Sequence, residues 1–291
     1  MSKKLKNWLN LIGQLIFAAL AIYWVLQDID FEELKKTVFG ADLVWLLLAL
    51  LAFNASKILS AFRLNHFFRV LGFQLSEKFN LKLYYLGMLY NQFLPGGIGG
   101  DGYKVYLLNK WYNSPLKKLI SATLLDRISG VVALGFLTFI LALIGSGQEA
   151  IQPYGFLLWI GLVIAYPAYY VLVHLLFKSF KAVNHVTNIQ ALAVQSLQVL
   201  CAFLILRALG VEADYIDYLT LFLVTSVAAT FPIALPGGIG IRELVMVKGA
   251  EYLFINEVNA TALATLFFLI SLVSALSGLS FLRPEKPNTE P

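Results

Sequence analysis

Charge, cysteine and histidine are all scarce in this 291-residue chain, and each scarcity excludes something. Only 13% of the residues are charged while 59% are hydrophobic, whereas soluble domains are about a quarter charged. A soluble fold cannot hide that much apolar surface, so an enzyme with an ordinary water-facing shell is excluded. The single cysteine, Cys201, rules out an intramolecular disulfide framework and leaves the redox compartment open. His66, His174 and His185 share no ligand-like spacing, so neither a metal site nor any other cofactor is expected.

The apolar residues fall instead in long runs. A membrane-crossing helix needs about 20 mainly apolar residues, and six segments qualify: Leu9–Gln27, Leu43–Phe62, Leu119–Ile144, Phe156–Phe177, Ile189–Leu209 and Ala260–Leu282. Lys3, Lys4 and Lys6 ahead of the first resemble the start of a signal peptide, but the run is too long and no small-residue cleavage site follows, so it reads as an uncleaved helix. Two further apolar stretches are interrupted. Phe79–Leu94 stops at Pro95-Gly96-Gly97 and restarts through Trp111; Tyr218–Leu235 stops at Pro236-Gly237-Gly238 and restarts through Phe254.

With six crossings and two segments that enter and leave on one side, Lys3, Lys4, Lys6, Arg63, Arg69, Lys78, Lys82, Lys104, Lys110, Lys117, Lys118, Lys178, Lys181, Arg283 and Lys286 share a side, against Lys35 and Lys36 opposite. Lysine and arginine mark cytoplasmic loops. Both termini are therefore expected in the cytoplasm and the protein in the cytoplasmic membrane. The net charge of +5 is a topology signal; a nucleic-acid partner would want a soluble basic face, which is absent.

The hexapeptide Leu-Pro-Gly-Gly-Ile-Gly occurs at Leu94–Gly99 and, letter for letter, at Leu235–Gly240. Three spans separate the copies, and an odd number inverts the chain's direction. The fold class expected is thus an all-α polytopic membrane protein, six transmembrane helices plus two re-entrant broken-helix hairpins in an inverted repeat. It forms one membrane domain over 1–282, with halves near 1–145 and 155–282, and a disordered cytoplasmic tail at 283–291. Inverted repeats with helices broken at matching positions point to a transporter's binding site. Pro-Gly-Gly is also an ordinary surface turn, and the duplication is what favours a functional break.

Proline ends the incoming helix, and non-helical backbone at membrane depth survives only inside protein or facing a water-filled cavity. The segment beyond each break starts with unpaired N–H groups suited to phosphate. Candidate binding residues are Asn91, Pro95, Gly96, Gly97, Gly99, Asp101 and Lys104 at the first break and Pro236, Gly237, Gly238, Gly240, Arg242 and Glu243 at the second, joined by Asp126 and Arg127 in the third span. Gly97 to Gly102 also fits G-x-G-x-x-G, but no βαβ unit surrounds it.

Asp126 and Arg127 lie about 10 Å into their span. Adjacent helical residues do not face one another, so each needs a partner elsewhere, either for function or as a scaffold of ion pairs. Lys57 and Arg207 sit near span ends and read as snorkelling. Asn54 can bond between helices, Lys248 and Glu251 can pair locally, and Ser271, Ser274, Ser277 and Gly278 form a packing stripe. Tyr84, Tyr85, Tyr90, Trp111 and Tyr112 read as interfacial anchors.

Together, Asn91-Gln-Phe-Leu-Pro-Gly-Gly-Ile-Gly-Gly-Asp101, Asp126-Arg127 and Leu235-Pro-Gly-Gly-Ile-Gly-Ile-Arg242-Glu243 resemble the transmembrane region of lysylphosphatidylglycerol synthetase/flippase proteins and related stand-alone flippase-like proteins. The resemblance covers nearly the whole chain and implies a lipid-handling membrane domain. The soluble aminoacyl-transferase domain of the bifunctional members is not seen, so synthetase activity is not expected. Lys104 stands where an arginine is frequent in the family, and lysine cannot make the same bidentate phosphate contact.

The expected function is a flippase-like transporter of an anionic or aminoacylated membrane lipid, phospholipid or polyprenyl-phosphate-linked. Lys104, Arg242 and backbone amides would hold phosphate, and Asp101, Asp126, Arg127 and Glu243 would switch ion pairs or meet a cationic headgroup. No nucleotide-binding domain is visible, so transport is expected to be downhill or ion-coupled. The alternatives are an integral membrane transferase using Asp101 or Asp126 as general base, and an accessory subunit of a lipid or glycan enzyme. Membrane lipids are the expected partners; a homo-oligomer or a separate lipid-modifying enzyme is left open.

Single cysteines at Ser114 and Asn256, with Cys201 replaced, test the topology. A thiol reagent that cannot cross the membrane should label the Asn256 site and spare Ser114; outside labelling at Ser114 would sink the arrangement.

Overall fold

A computed structural model describes residues 31–93, 99–145, 151–230 and 241–286. The expected first span Leu9–Gln27, both Pro-Gly-Gly turns and residues 287–291 of the tail lie outside the described residues. The described part is helical, with no strand. In chain order its α-helices are α1 (Phe31–Phe39), α2 (Leu43–Val70), α3 (Glu77–Phe93), α4 (Gly99–Tyr112), α5 (Leu116–Ile144), α6 (Gly155–Leu176), α7 (Asn184–Ala208), α8 (Tyr215–Ala228), α9 (Ile241–Leu253) and α10 (Glu257–Ala275). Short 3₁₀ turns at Gln152–Tyr154, Lys178–Val183 and Leu276–Phe281 extend α6, α7 and α10.

Five of these helical stretches are long and apolar enough to cross a membrane: Leu43–Val70, Leu116–Ile144, Gln152–Leu176, Lys178–Ala208 and Glu257–Phe281. Their outer faces are apolar. Leu43, Val44, Leu47 and Leu51 on α2 and Phe156, Leu157, Trp159 and Val163 on α6 are all exposed, and only Tyr169 and Val173 of α6 are buried. An apolar face that broad is stable against lipid rather than water. The protein is a multi-pass membrane protein.

Local signals place the helix ends. Asp42 caps α2, its carboxylate accepting from Val44 N–H at 2.7 Å, while its own N–H donates to the Ala208 carbonyl at 2.8 Å and ties the start of α2 to the end of α7. Asn256 caps α10 by accepting from Asn259 N–H at 2.8 Å, and Tyr218 Oη accepts from Asn256 N–H at 3.1 Å, fixing α8 to that corner. α2 runs past the expected Phe62 to Val70 and stops where Gly72 takes φ +89°. Two buried asparagines hold the turn that follows: Asn65 donates to the Leu75 carbonyl at 3.1 Å and Asn80 to the Ala61 carbonyl at 2.6 Å.

α2 packs along α7 in the most extensive helix contact among the described residues; α5 packs on α8, and α3 on α10 and its 3₁₀ extension. Small and polar side chains cement the last of these. Tyr85 Oη donates to Asn54 Oδ1 at 2.7 Å, Asn54 Nδ2 to Ser274 Oγ at 3.0 Å and Gln92 Nε2 to Ser271 Oγ at 2.8 Å. Asn54 does bond between helices, and Ser271 and Ser274 do lie on a packing face. Phe53 meets Phe267 edge to face at 5.4 Å between ring centres, and Phe222 meets the same ring at 4.7 Å.

The closest backbone approach joins α3 to α4. A methyl group added at Gly100 would collide with the carbonyl of Gly87, whereas one at Gly87 meets the flexible Lys104 chain first, with Cε at 2.8 Å. Gly100→Ala should therefore destabilise the protein by about 2–3 kcal/mol, the cost of overpacking against a backbone that cannot yield. Gly87→Ala should cost less. Thermal unfolding of the detergent-purified variants measures both, and equal melting temperatures would contradict the packing argument.

Candidate functional site

Five buried or half-buried ionisable groups from three helices, α2, α4 and α5, meet. Arg63, one residue past the expected end of its span, is buried inside α2 and its Nε donates to Asp126 Oδ1 at 2.8 Å. Its Nη2 donates to the Asp126 carbonyl at 3.2 Å, an oxygen that Ser129 Oγ also donates to at 2.8 Å. Asp101, in the first turn of α4, lies between two cations: Lys104 Nζ reaches its Oδ1 at 2.7 Å and Arg127 Nε its Oδ2 at 2.5 Å. Lys104 is 3% exposed, and its ammonium also lies 4.9 Å from the centre of the Tyr84 ring.

Asp126 and Arg127 thus point to different partners, as adjacent helical positions require. Asp126 binds α2 and Arg127 binds α4, so one dipeptide pins both helices to α5. The first-turn amide of Gly100 is not open to a phosphate, because it donates to Asn91 Oδ1 at 2.8 Å across the break. Asn91 supplies the acceptor that the start of a helix lacks.

These groups surround a cavity of about 510 Å³. Its polar wall is Lys57, Arg63, Asp101, Lys104, Asp126 and Arg127, with Tyr84, Asn91, Gln195 and Thr230 between them. Its apolar wall is Met88 with Ile128, Val131, Val132 and Leu134, the turns of α5 that follow the Asp126-Arg127 pair. At 1.5 Å per residue the passage from charged to apolar lining takes about 12 Å along one helix. Val131 is itself exposed on the outside of the bundle.

Several expectations need correction. Arg63 and Lys104 are not loop charges facing the cytoplasm: both are buried among helices, since α2 extends two turns further than its apolar run and α4 folds back against α3 and α5. Lys57 does not snorkel to a span end but lines the cavity, its ammonium 4.5 Å from the Phe53 ring centre. Tyr84 is a cavity residue rather than an interfacial anchor. Arg207 does remain at the surface, stacked at 5.3 Å on Trp45 with its Nη1 donating to Tyr215 Oη at 3.1 Å, and Lys248 does pair with Glu251 at 3.2 Å.

Of the residues expected at the second break, Arg242 and Glu243 open α9 but are not among the lining residues of this cavity. Arg242 instead sits 5.9 Å from the Phe267 ring centre. Gly99 begins α4, while Pro95, Gly96, Gly97, Pro236, Gly237, Gly238 and Gly240 lie outside the described residues. The residues missed were Lys57, Arg63, Tyr84, Gln195 and Thr230. Gly72 was the overlooked signal: as a helix stop it puts Arg63 two turns inside α2.

The model of the family described as the lysylphosphatidylglycerol synthase TM region matches residues 11–278. No curated protein matches the chain.

Breaking the Arg63–Asp126 pair from one side leaves a charge without its partner in a low-dielectric interior, at a cost of about 3–5 kcal/mol. Asp126→Leu should lower the melting temperature sharply. Arg63→Met combined with Asp126→Leu should recover most of that loss, because no charge remains buried. A double variant as unstable as the single would show that the pair is not the source of the stability.

Proposed function

The chain belongs to the lysylphosphatidylglycerol synthase TM-region family, and from that premise we propose that it is a flippase-like transporter of an anionic or aminoacylated membrane lipid, whether phospholipid or polyprenyl-phosphate-linked. The observation that carries this reading is the two-walled cavity, charged at the level of Asp126 and Arg127 and apolar over the following turns of α5. A lipid is built the same way. Its headgroup would meet Lys104, Asp101 and the Arg63–Asp126 pair while its chain runs along Ile128, Val131 and Val132 toward the exposed side of α5.

The same reading takes the domain at 1–282 as an inverted repeat of six spans and two re-entrant hairpins. Two matching runs support it: a long helix, a short one, a Pro-Gly-Gly segment, another short helix and a long one, in α2 to α5 and again in α7 to α10. The packing is reciprocal as well. The first members, α2 and α7, face each other, the last member α5 packs on α8, and the last member α10 packs on α3. In such a scaffold one half rocks against the other about a site near the midplane, and Asp101, shared by Lys104 and Arg127, is an ion pair that can exchange partners as α4 moves on α5. The orientation with both termini cytoplasmic, in the cytoplasmic membrane, completes the proposal.

Nothing in the cavity favours the transferase alternative. Asp101 and Asp126 both already accept from cations, so neither is placed as a general base with an open face.

Headgroup-labelled lipids in proteoliposomes test the proposal. The natural sequence should move an anionic or aminoacylated lipid between leaflets, and Lys104→Ala, at matched reconstitution, should lower the rate by about tenfold or more, as expected where a charged contact to the headgroup is lost. Folded protein that moves no lipid overturns the transporter reading.

A further inference from the structure

Every carboxylate that lines the cavity is already engaged, Asp126 by Arg63 and Asp101 by Lys104 and Arg127. Lys57 is different. It lines the same cavity, yet among the described residues its ammonium has no carboxylate partner; it lies on the face of Phe53 and near the buried Cys201 thiol. Phe53 meets Phe267 edge to face, and Arg242 lies 5.9 Å from the Phe267 ring centre. Arg63 lines the same cavity with like charge. Arg63 adds an unpartnered donor, since its Nη1 is buried without an acceptor. Residues 94–98 and 231–240 contain no aspartate or glutamate, so neither break brings a counter-charge.

A cation gathered with other cations inside a bundle is costly, and such residues are retained where a ligand supplies the missing charge. We propose that Lys57 and Arg63 on α2 form an anion subsite, which makes the cavity select lipids whose headgroup is net negative at phosphate over those carrying an added amino acid. This inference rests on the lipid-transport reading and narrows it. A phosphate oxygen would take the open Nη1 of Arg63 and neutralise Lys57. An aminoacylated headgroup would instead bring further ammonium groups into a wall that has no unengaged carboxylate to receive them, and like charge without a partner discriminates by repulsion.

Native mass spectrometry of the detergent-purified full chain tests this with equal amounts of phosphatidic acid, phosphatidylglycerol, lysylphosphatidylglycerol and phosphatidylcholine, and with inorganic pyrophosphate as competitor. Phosphatidic acid and phosphatidylglycerol should be retained about tenfold better than lysylphosphatidylglycerol, as one well-placed charge contact provides. Lys57→Gln should erase that preference without lowering the melting temperature, because it removes a repelled charge, and Lys57→Arg should preserve it. Preferred retention of lysylphosphatidylglycerol, or an undiminished preference in Lys57→Gln, overturns the subsite and leaves the transport reading standing. Retention of no lipid above phosphatidylcholine overturns both. Displacement of phosphatidic acid by pyrophosphate at equal concentration would keep the subsite and assign it to a free phosphate compound, overturning the lipid reading.

Discussion

Charges held among apolar helices have no water to fall back on, so each must find a partner in the protein or in a ligand. In this bundle that requirement sets the relation of three helices. Arg63 on α2 takes Asp126, and Asp101 on α4 takes Arg127, so the consecutive residues of α5 lock a different helix on each side. Lys104, one turn after Asp101, closes the second cluster from within α4. Sliding α5 by a single turn relative to α2 or α4 would separate both sets at once. The register of α2, α4 and α5 is therefore an electrostatic one, superimposed on the packing of apolar side chains.

Helices α2, α7, α8 and α10 meet through packing of another kind. α2 and α7 lie along each other, and the Phe53–Phe267–Phe222 cluster joins α2, α10 and α8 in edge-to-face contacts. Dispersion between rings resists sliding less sharply than an ion pair does, and hydroxyl and amide contacts such as Asn54 to Ser274 add only modest energy between membrane helices. The cavity lies beside these contacts, reaching Gln195 of α7 and Thr230 just beyond α8.

Much was legible without coordinates because a membrane imposes simple rules. The apolar runs at Leu119–Ile144 and Phe156–Phe177 fall within a few residues of α5 and α6, since twenty apolar residues have little else to be. That Asp126 and Arg127 could not serve each other followed from helix geometry alone. Arg63 was misplaced because hydropathy ends where charge begins, whereas the helix continues until Gly72 stops it. Tyr84 and Lys57 were misread for a related reason: an aromatic or a lysine near the end of a run has the same pattern whether it turns to the interface or inward.

What the amino-acid order determined by itself is local: which stretches must be helix, that they lie in lipid, where proline and glycine interrupt them, and that the buried charges of α5 demand partners. These are consequences of composition and of a 3.6-residue repeat, and each can be read within a window of about twenty residues. The tertiary structure alone decided which partners answer. Arg63 and Asp126 are far apart in the chain, and only the packing of α2 against α5 brings them to 2.8 Å. It likewise decided that Lys57 should face the cavity without a carboxylate partner among the described residues. Pairing across helices depends on rotation and register about each axis, which an all-round apolar helix does not encode in its sequence pattern.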